Sequence, residues 1–465
     1  MRELLEKGAE VDAEDGEGRS ALTMALAGGK EAAARALLEA GAGVNAGTGR
    51  RPLHAAAERG TVEMVRELVE KGADVDAEDG EGRTALTVAL EHDLDEDLDE
   101  EDAGGNEAAA RALLEAGAGV NAGTGRRPLH AAAEKGMVKV LSVLLEKGAE
   151  VDAEDGEGRT ALALALAGGK EAAARALLEA GAGVNTVKGL RPLHTGVEQE
   201  MVEVLSELVE KGAEVDAEDG EGRTALTVAL ALGQEGAARA LLEARAGVNA
   251  GTGQRPLHAA AERGLVEMVR ELVGKGAEVD AEDGEGRTAL TVALAFGQEA
   301  AARALLEAGL GVNAGTGQRP LHAAAKKGME EMVRELVEKS TEVDAEDGEG
   351  RTALTVALAF GQEAAARALL EAGAGVNAGT GRRPLHAAAE KGMVEMVRDL
   401  VDKGAEVDAE DGEGHTALTQ ALAGGKEAAA RALLEAGAGV DAGTGQRPLH
   451  AAAMKGTVEM VRELV

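Results

Sequence analysis

The sequence predicts an all-α chain, a solenoid of short helix–turn–helix repeats, and three observations carry that prediction. The tetrad Arg-Pro-Leu-His opens at Arg51, Arg127, Arg191, Arg255, Arg319, Arg383 and Arg447; successive copies lie 64 residues apart from Arg127 onward, and the first interval is 76. A second tetrad, Thr-Ala-Leu-Thr, alternates with it from Thr84, Thr224, Thr288, Thr352 and Thr416, with variants opening at Ser20 and Thr160. Apolar residues after each tetrad recur at helical spacing, and glycine closes the helical stretches.

The repeat from Arg255 to Val279 shows why each element is expected. Pro256 suits a first helical position, where a missing N–H and a fixed φ cost nothing. Leu257, Ala260 and Ala261 define a short helix that Gly264 ends. A second helix follows from about Val266 to Lys275, with Val266, Met268, Val269, Leu272 and Val273 on a wide apolar face, and Gly276 just beyond its end. In the alternate repeats the second helix reads Ala-Ala-Ala-Arg-Ala-Leu-Leu, as in Glu299 to Glu307, so Leu305 and Leu306 must supply most of its packing. A single repeat buries too little to stand alone, and stacking supplies the shared core.

A period near 33 residues with a Thr-Pro-Leu-His-like tetrad at a helix start resembles the ankyrin repeat. On that resemblance the fold class is an all-α ankyrin-repeat solenoid with β-hairpin finger loops, running over residues 1–465 as a single array. Residues 1–19 form a partial repeat, 20–446 thirteen complete repeats with an acidic insertion at 91–106, and 447–465 a last partial repeat. The long connector Val-Asp-Ala-Glu-Asp-Gly-Glu-Gly-Arg, as at Val279 to Arg287, matches the family's finger; Asp283 and Gly286 form a type I turn signature. The short connector, as at Val248 to Gln254, lacks two residues of the family's loop. The resemblance also implies that the tetrad histidine holds loop geometry by hydrogen bonds.

Composition narrows the function. Eighty-five acidic residues against 49 basic ones give a net charge of −36, which repels nucleic acid and anionic membranes and attracts basic partners. There is no cysteine, so disulfides and thiolate metal sites are excluded. No apolar run is long enough to span a bilayer, and the first residues lack a signal-peptide core, so an intracellular chain, cytoplasmic or nuclear, is expected.

Several motifs invite sharper readings. Gly-Glu-Gly-Arg-Thr-Ala at Gly80 to Ala85 fits a dinucleotide fingerprint, but Asp-Ala-Glu-Asp before it is no buried strand. Asp93, Asp95 and Asp97 alternate like the start of a calcium loop, yet Leu98 stands where glycine is needed and Gly104 where a bidentate glutamate belongs. His92, inside the same insertion, stands apart from the tetrad histidines. The serines are scattered, and no nucleophile–base–acid pattern exists, so no enzyme activity, cofactor or metal is expected.

The remaining candidate is the finger edge. In the resembling family, finger tips and the first-helix surface form the concave face that binds protein partners. Here that face would carry Asp79 and Glu81, Asp155 and Glu157, Asp219 and Glu221, Asp283 and Glu285, Asp347 and Glu349, and Asp411 and Glu413. The expected function is a monomeric, non-catalytic scaffold that holds a basic protein partner. An alternative is a spacer or recruitment array for an activity outside this chain. The repeat at Arg191 is the most divergent of the array, and two sites, Arg245 and Ser340, which replace helix-ending glycines, are expected to be soft.

Overall fold

The computed structural model describes residues 10–465 apart from 49, 92–104, 125, 186–190, 310, 316–318 and 340–341. The first nine residues of the expected partial repeat, residues 92–104 of the acidic insertion, with His92, Asp93, Asp95 and Asp97, and Ser340 therefore lie outside the described residues. The described part forms 28 helices, two per repeat, from Ala21–Ala27 to Val458–Leu464. Residue contacts group the chain into two units: residues 1–219 with 239–245, and residues 220–238 with 246–465.

Each unit is built alike. The first helix of a repeat packs against the first helices before and after it and against its own second helix, as Ala289–Phe296 does with Pro256–Arg263, Pro320–Lys327 and Glu299–Glu307. In the second unit the second helices pair closely in twos, Val266–Gly274 with Glu299–Glu307 and Glu330–Lys339 with Glu363–Glu371. From one such pair to the next the tie includes ions, Arg303 to Glu335 at 3.5 Å.

The two tetrads start their helices by different means. In Ala289–Phe296 the N-cap is Thr288, whose Oγ1 accepts the Thr291 amide at 3.4 Å and satisfies one orphan helical donor. In Pro256–Arg263 the N-cap Arg255 makes no such bond, and Pro256 has no N–H to satisfy. Gly264 at φ 74° and Gly276 at φ 91° close the two helices in the left-handed conformation.

Burial follows the sequence pattern. Met268, Val269 and Leu272 are fully buried, as are Leu305, Ala301 and Ala302 in the alanine-rich counterpart. The first helices are buried almost throughout, Ala289 to Leu294 and Pro256 to Ala261 included, so they present few side chains to solvent.

The hairpins expected for the long connectors are smaller than that name implies. Among the described residues, β-structure is confined to isolated antiparallel bridges such as Glu282–Thr288 and Glu346–Thr352. The pairing stops there because Thr288 and Thr352 are already helix N-caps, so the returning arm turns into a helix after one residue.

Arg245 keeps the left-handed backbone of the glycines it replaces, at φ 65°, and Glu200 does so at φ 58°. At the equivalent Gly41, Gly309 and Gly373 an added Cβ would meet nothing within 4 Å. The strain at Arg245 is therefore torsional rather than a clash.

Candidate interaction surface

The long connectors at Asp79, Asp155, Asp283, Asp347 and Asp411 are tight turns, each organised by one aspartate. In the turn at residues 347–351 the Gly350 amide donates to the Asp347 carbonyl at 3.0 Å, and the Asp347 amide to the Arg351 carbonyl at 2.9 Å. The side chain repeats the job. Asp347 Oδ1 accepts the Glu349 and Arg351 amides, each at 2.9 Å, and Oδ2 accepts Arg351 Nε at 2.9 Å. The turns at Asp79, Asp155 and Asp283 are built the same way. Burial by itself raises the Asp347 carboxyl, but the Arg351 amide and guanidinium and the Glu349 amide outweigh it and hold the group below the usual carboxylate value. The same balance holds at Asp79, Asp155 and Asp283.

The residues expected at the partner face therefore divide. The side chain of Asp79 is 6% exposed and that of Asp347 11%, and these carboxylates are spent inside the turn. Glu81 and Glu349 stand out at 72% and 70%. Asp155 and Asp283 face inward like Asp79, while Glu157 and Glu285 project as Glu81 does. At Asp219 and Glu221, Glu221 pairs with Arg223 at 3.3 Å. The Gly-x-Gly-x-x-Ala stretch is this turn and the helix start after it.

The finger at residues 411–415 departs from the rest, and the sequence reading did not single it out. His415 stands where the other fingers have arginine. Its amide still donates to Asp411 Oδ1 at 2.9 Å, and Glu413 still projects. Asp411 Oδ2 is served instead by Gln420 Nε2 at 3.0 Å, from the helix where other repeats carry Val292 or Val356. The signal was available as a paired change, Arg to His with Val to Gln, in one repeat.

Fingers are held by the repeats on either side. His322 Nε2 donates to the Arg351 carbonyl at 2.9 Å, and His54, His258 and His386 make the same bond at 3.0 Å to Arg83, Arg287 and His415. His130 donates to Arg159 at 3.1 Å and Ala153 at 2.9 Å. Because a carbonyl only accepts, Nε2 carries the proton in each ring. Burial pushes these histidines below the usual imidazole value, with the carbonyl bond opposing it. From the following repeat, Thr380 Oγ1 donates to Glu346 Oε2 at 2.6 Å and the Gly381 amide to the Gly350 carbonyl at 3.0 Å.

Sequence reasoning missed a second tie. Asn377 Nδ2 donates to the Gly404 carbonyl at 3.0 Å while its Oδ1 accepts the Glu406 amide at 3.0 Å, both in the next connector. Asn45, Asn121, Asn185 and Asn249 do the same. In long connectors the aspartate at this register, such as Asp344, accepts the Gly375 amide at 2.8 Å. The alternation of Asn and Asp at one register was its signal.

Arginines of the short connectors, between the acidic fingers, are engaged internally. Arg126 pairs with Glu134, Arg50 with Glu58, and Arg127 with Glu150 at 2.6 Å. No helix among the described residues is long and apolar enough to cross a membrane.

A family profile described as ankyrin repeats (3 copies) matches residues 42–99, 102–188, 180–252, 243–316, 308–380 and 385–465. The chain is similar to ankyrin repeat and SOCS box protein 16 of Homo sapiens, 35% identical over 42% of this chain and 47% of the relative. It is similar to the E3 ubiquitin-protein ligase KEG of Arabidopsis thaliana, 30% identical over 66% of this chain and 20% of the relative. It also resembles the B-cell lymphoma 3 protein homolog of Mus musculus, 36% identical over 33% of this chain and 36% of the relative. The chain thus spans between about a fifth and a half of the length of these relatives. Helix pairs in tandem, alternating connectors and profile matches over most of its length lead to one conclusion: the chain belongs to the ankyrin repeat family.

Proposed function

We propose that this chain is a monomeric, non-catalytic intracellular scaffold that holds a basic protein segment along its finger edge. Ankyrin repeats bind protein partners, and the finer reading rests on one observation. A glutamate projects from the tip of each described turn at Asp79, Asp155, Asp283, Asp347 and Asp411, 70% or more exposed, on a framework fixed by the buried aspartate. Glu81, Glu157, Glu221, Glu285, Glu349 and Glu413 are the contacting groups in this reading, and Asp79, Asp155, Asp219, Asp283, Asp347 and Asp411 position them. Each tip glutamate pairs only at the surface, with the finger arginine or, at Glu413, with His415, and such an exposed pair contributes about 0–1 kcal/mol. A partner's lysine or arginine therefore displaces it at little cost. Fingers recur every second repeat, and neighbouring helices pack about 8–10 Å apart, so basic groups spaced roughly 20 Å apart fit the edge.

The test is fluorescence anisotropy with a labelled arginine-rich peptide, titrated at low and physiological salt. The parent chain is compared with a variant carrying E81Q, E157Q, E221Q, E285Q, E349Q and E413Q. Binding that weakens with salt and is lost in the variant supports the reading, whereas equal affinity for parent and variant overturns it. A second reading, an array that places an activity carried elsewhere, draws on the relatives: the chain matches 20% of a protein named as a ubiquitin ligase.

A further inference from the structure

The helices of each repeat are antiparallel, so the loop joining first to second helix lies at the opposite end from the fingers. That edge differs from the acidic finger edge. The chain has no Trp or Tyr and only two Phe, and neither Phe is in the core. Phe296 and Phe360 are 50% and 48% exposed at the same place in successive Thr-led repeats, and Leu232 occupies that place one repeat pair earlier at 45%. In the repeats led by Ser20, Thr160 and Thr416 the equivalent residues are glycines, Gly28, Gly168 and Gly424. The change comes with a second one. Gly-Gly-Lys becomes Leu-Gly-Gln or Phe-Gly-Gln, and the new glutamines tie back to the preceding repeat, Gln298 to the Glu262 carbonyl at 3.0 Å and Gln362 to the Lys326 carbonyl at 3.3 Å.

At the same end of the first helices that follow Leu232, Phe296 and Phe360 lie Arg263, Lys327 and Lys391, all exposed. None of the three is ion-paired among the described residues. Arg263 reaches only the Leu232 carbonyl, at 3.1 Å. Of the carboxylates that open the neighbouring second helices, Glu330 and Glu363 are engaged on their own helices, with Arg334 at 2.9 Å and Arg367 at 2.6 Å, while Glu331 is exposed and not ion-paired among the described residues. Lys326 adds a cation 5.0 Å from the Phe360 ring centroid. The second unit thus presents a stripe in the order Leu232, Arg263, Phe296, Lys327, Phe360, Lys391. In a chain of net charge −36, unpaired cations interleaved with half-exposed bulky apolar groups form a surface opposite in character to the fingers.

We infer that this stripe is a second docking surface, for an acidic protein segment that carries bulky apolar side chains between its carboxylates. Charge complementarity selects that occupant. A second copy of this chain or an anionic membrane would bring an extended anionic surface, and not a short segment confined to the stripe, against the net negative charge. The apolar residues, one every two repeats and so roughly 20 Å apart, match about 13 residues of a partner helix. The inference stands independently of the finger reading and concerns a partner of opposite charge.

The test uses the full chain and a variant, L232G/F296G/F360G, that installs the residue found at Gly28, Gly168 and Gly424, so the fold has precedent for it. A second variant, R263E/K327E/K391E, reverses the charge. The probe is a labelled helical peptide of about 25 residues with leucines on one face and glutamates flanking them. Micromolar binding, reduced about tenfold or more in each variant and unchanged by the six finger Glu-to-Gln changes, supports the inference. No binding at millimolar concentration, or equal binding by parent and variants, overturns it. Dimerisation, or binding to phosphatidylserine vesicles, that the first variant abolishes while peptide binding is absent would assign the stripe to those occupants and likewise overturn it.

Discussion

Thr355 and His322 occupy the fourth position of successive tetrads, and they spend their polar atoms in opposite directions. Thr355 Oγ1 turns back on its own N-cap, Thr352 Oγ1, at 3.2 Å. His322 reaches forward 29 residues to the Arg351 carbonyl in the next repeat. The Thr-led repeats therefore complete themselves locally, and the Arg-Pro-Leu-His repeats complete their neighbours. An array with one repeat type alone would have either well-capped units weakly joined, or joined units without the cap. Alternating the two supplies both.

Acid should separate the two kinds of repeat most strongly. Burial lowers the folded-state pKa of His54, His130, His258, His322 and His386 below the ordinary value of about 6.5. As pH falls below that value the unfolded chain takes up protons that the folded chain refuses. Stability is therefore full above it and lost progressively on the way down. The finger aspartates act lower, because their depressed pKa values remove stability only below about 4. The expected result is a melting temperature that declines from pH 6.5 to 5, with hydrogen exchange rising first in the fingers that accept histidine bonds. A flat profile over that range would refute the assignment.

Single substitutions sharpen the contrast. His322→Ala leaves the Arg351 carbonyl without its partner and should cost about 2 kcal/mol. The loosening should show in amide exchange at Gly350 and Arg351, one repeat away from the mutation. Thr352→Ala should cost about 1 kcal/mol and speed exchange mainly in its own helix, Ala353–Ala359. If both variants loosened only their own helices, the division into local and forward bonds would be wrong.

The smallest expected effect is a gain. Arg245→Gly removes left-handed strain at a site where no side chain contact is needed, and should raise stability by less than about 1 kcal/mol, read from the denaturant midpoint. No change, or a loss, would show that the Arg245 side chain contributes more than its backbone costs.

The helices were legible because each boundary has a local cause. Pro256, Thr288, Gly264 and Gly276 act through their own backbone or the next turn, and the structure places them where those causes require. The finger aspartates and glutamates were not distinguishable in the same way. Both are acidic and two residues apart, and only the turn's closure shows that Asp347 is enclosed by amides while Glu349 is not. The asparagine tie was missed for another reason: the alternation of Asn and Asp marks the register, but the partners, Gly404 and Glu406, lie 27 and 29 residues beyond Asn377. Nothing in the sequence marked Phe296 and Phe360 as surface residues, because phenylalanine is ordinarily buried and only the packed repeats leave both about half exposed.

The nesting of each long finger has a consequence for how such an array can change length. The finger at residues 347–351 receives His322 from before, and Thr380 and the Gly381 amide from behind, so it requires unlike neighbours on both sides. Excising one repeat would bring two like connectors together and strand those donors. Excising a consecutive pair, such as the 64 residues from Arg319 to Arg382, restores every contact. The array therefore has parity: it lengthens and shortens without penalty only in even steps.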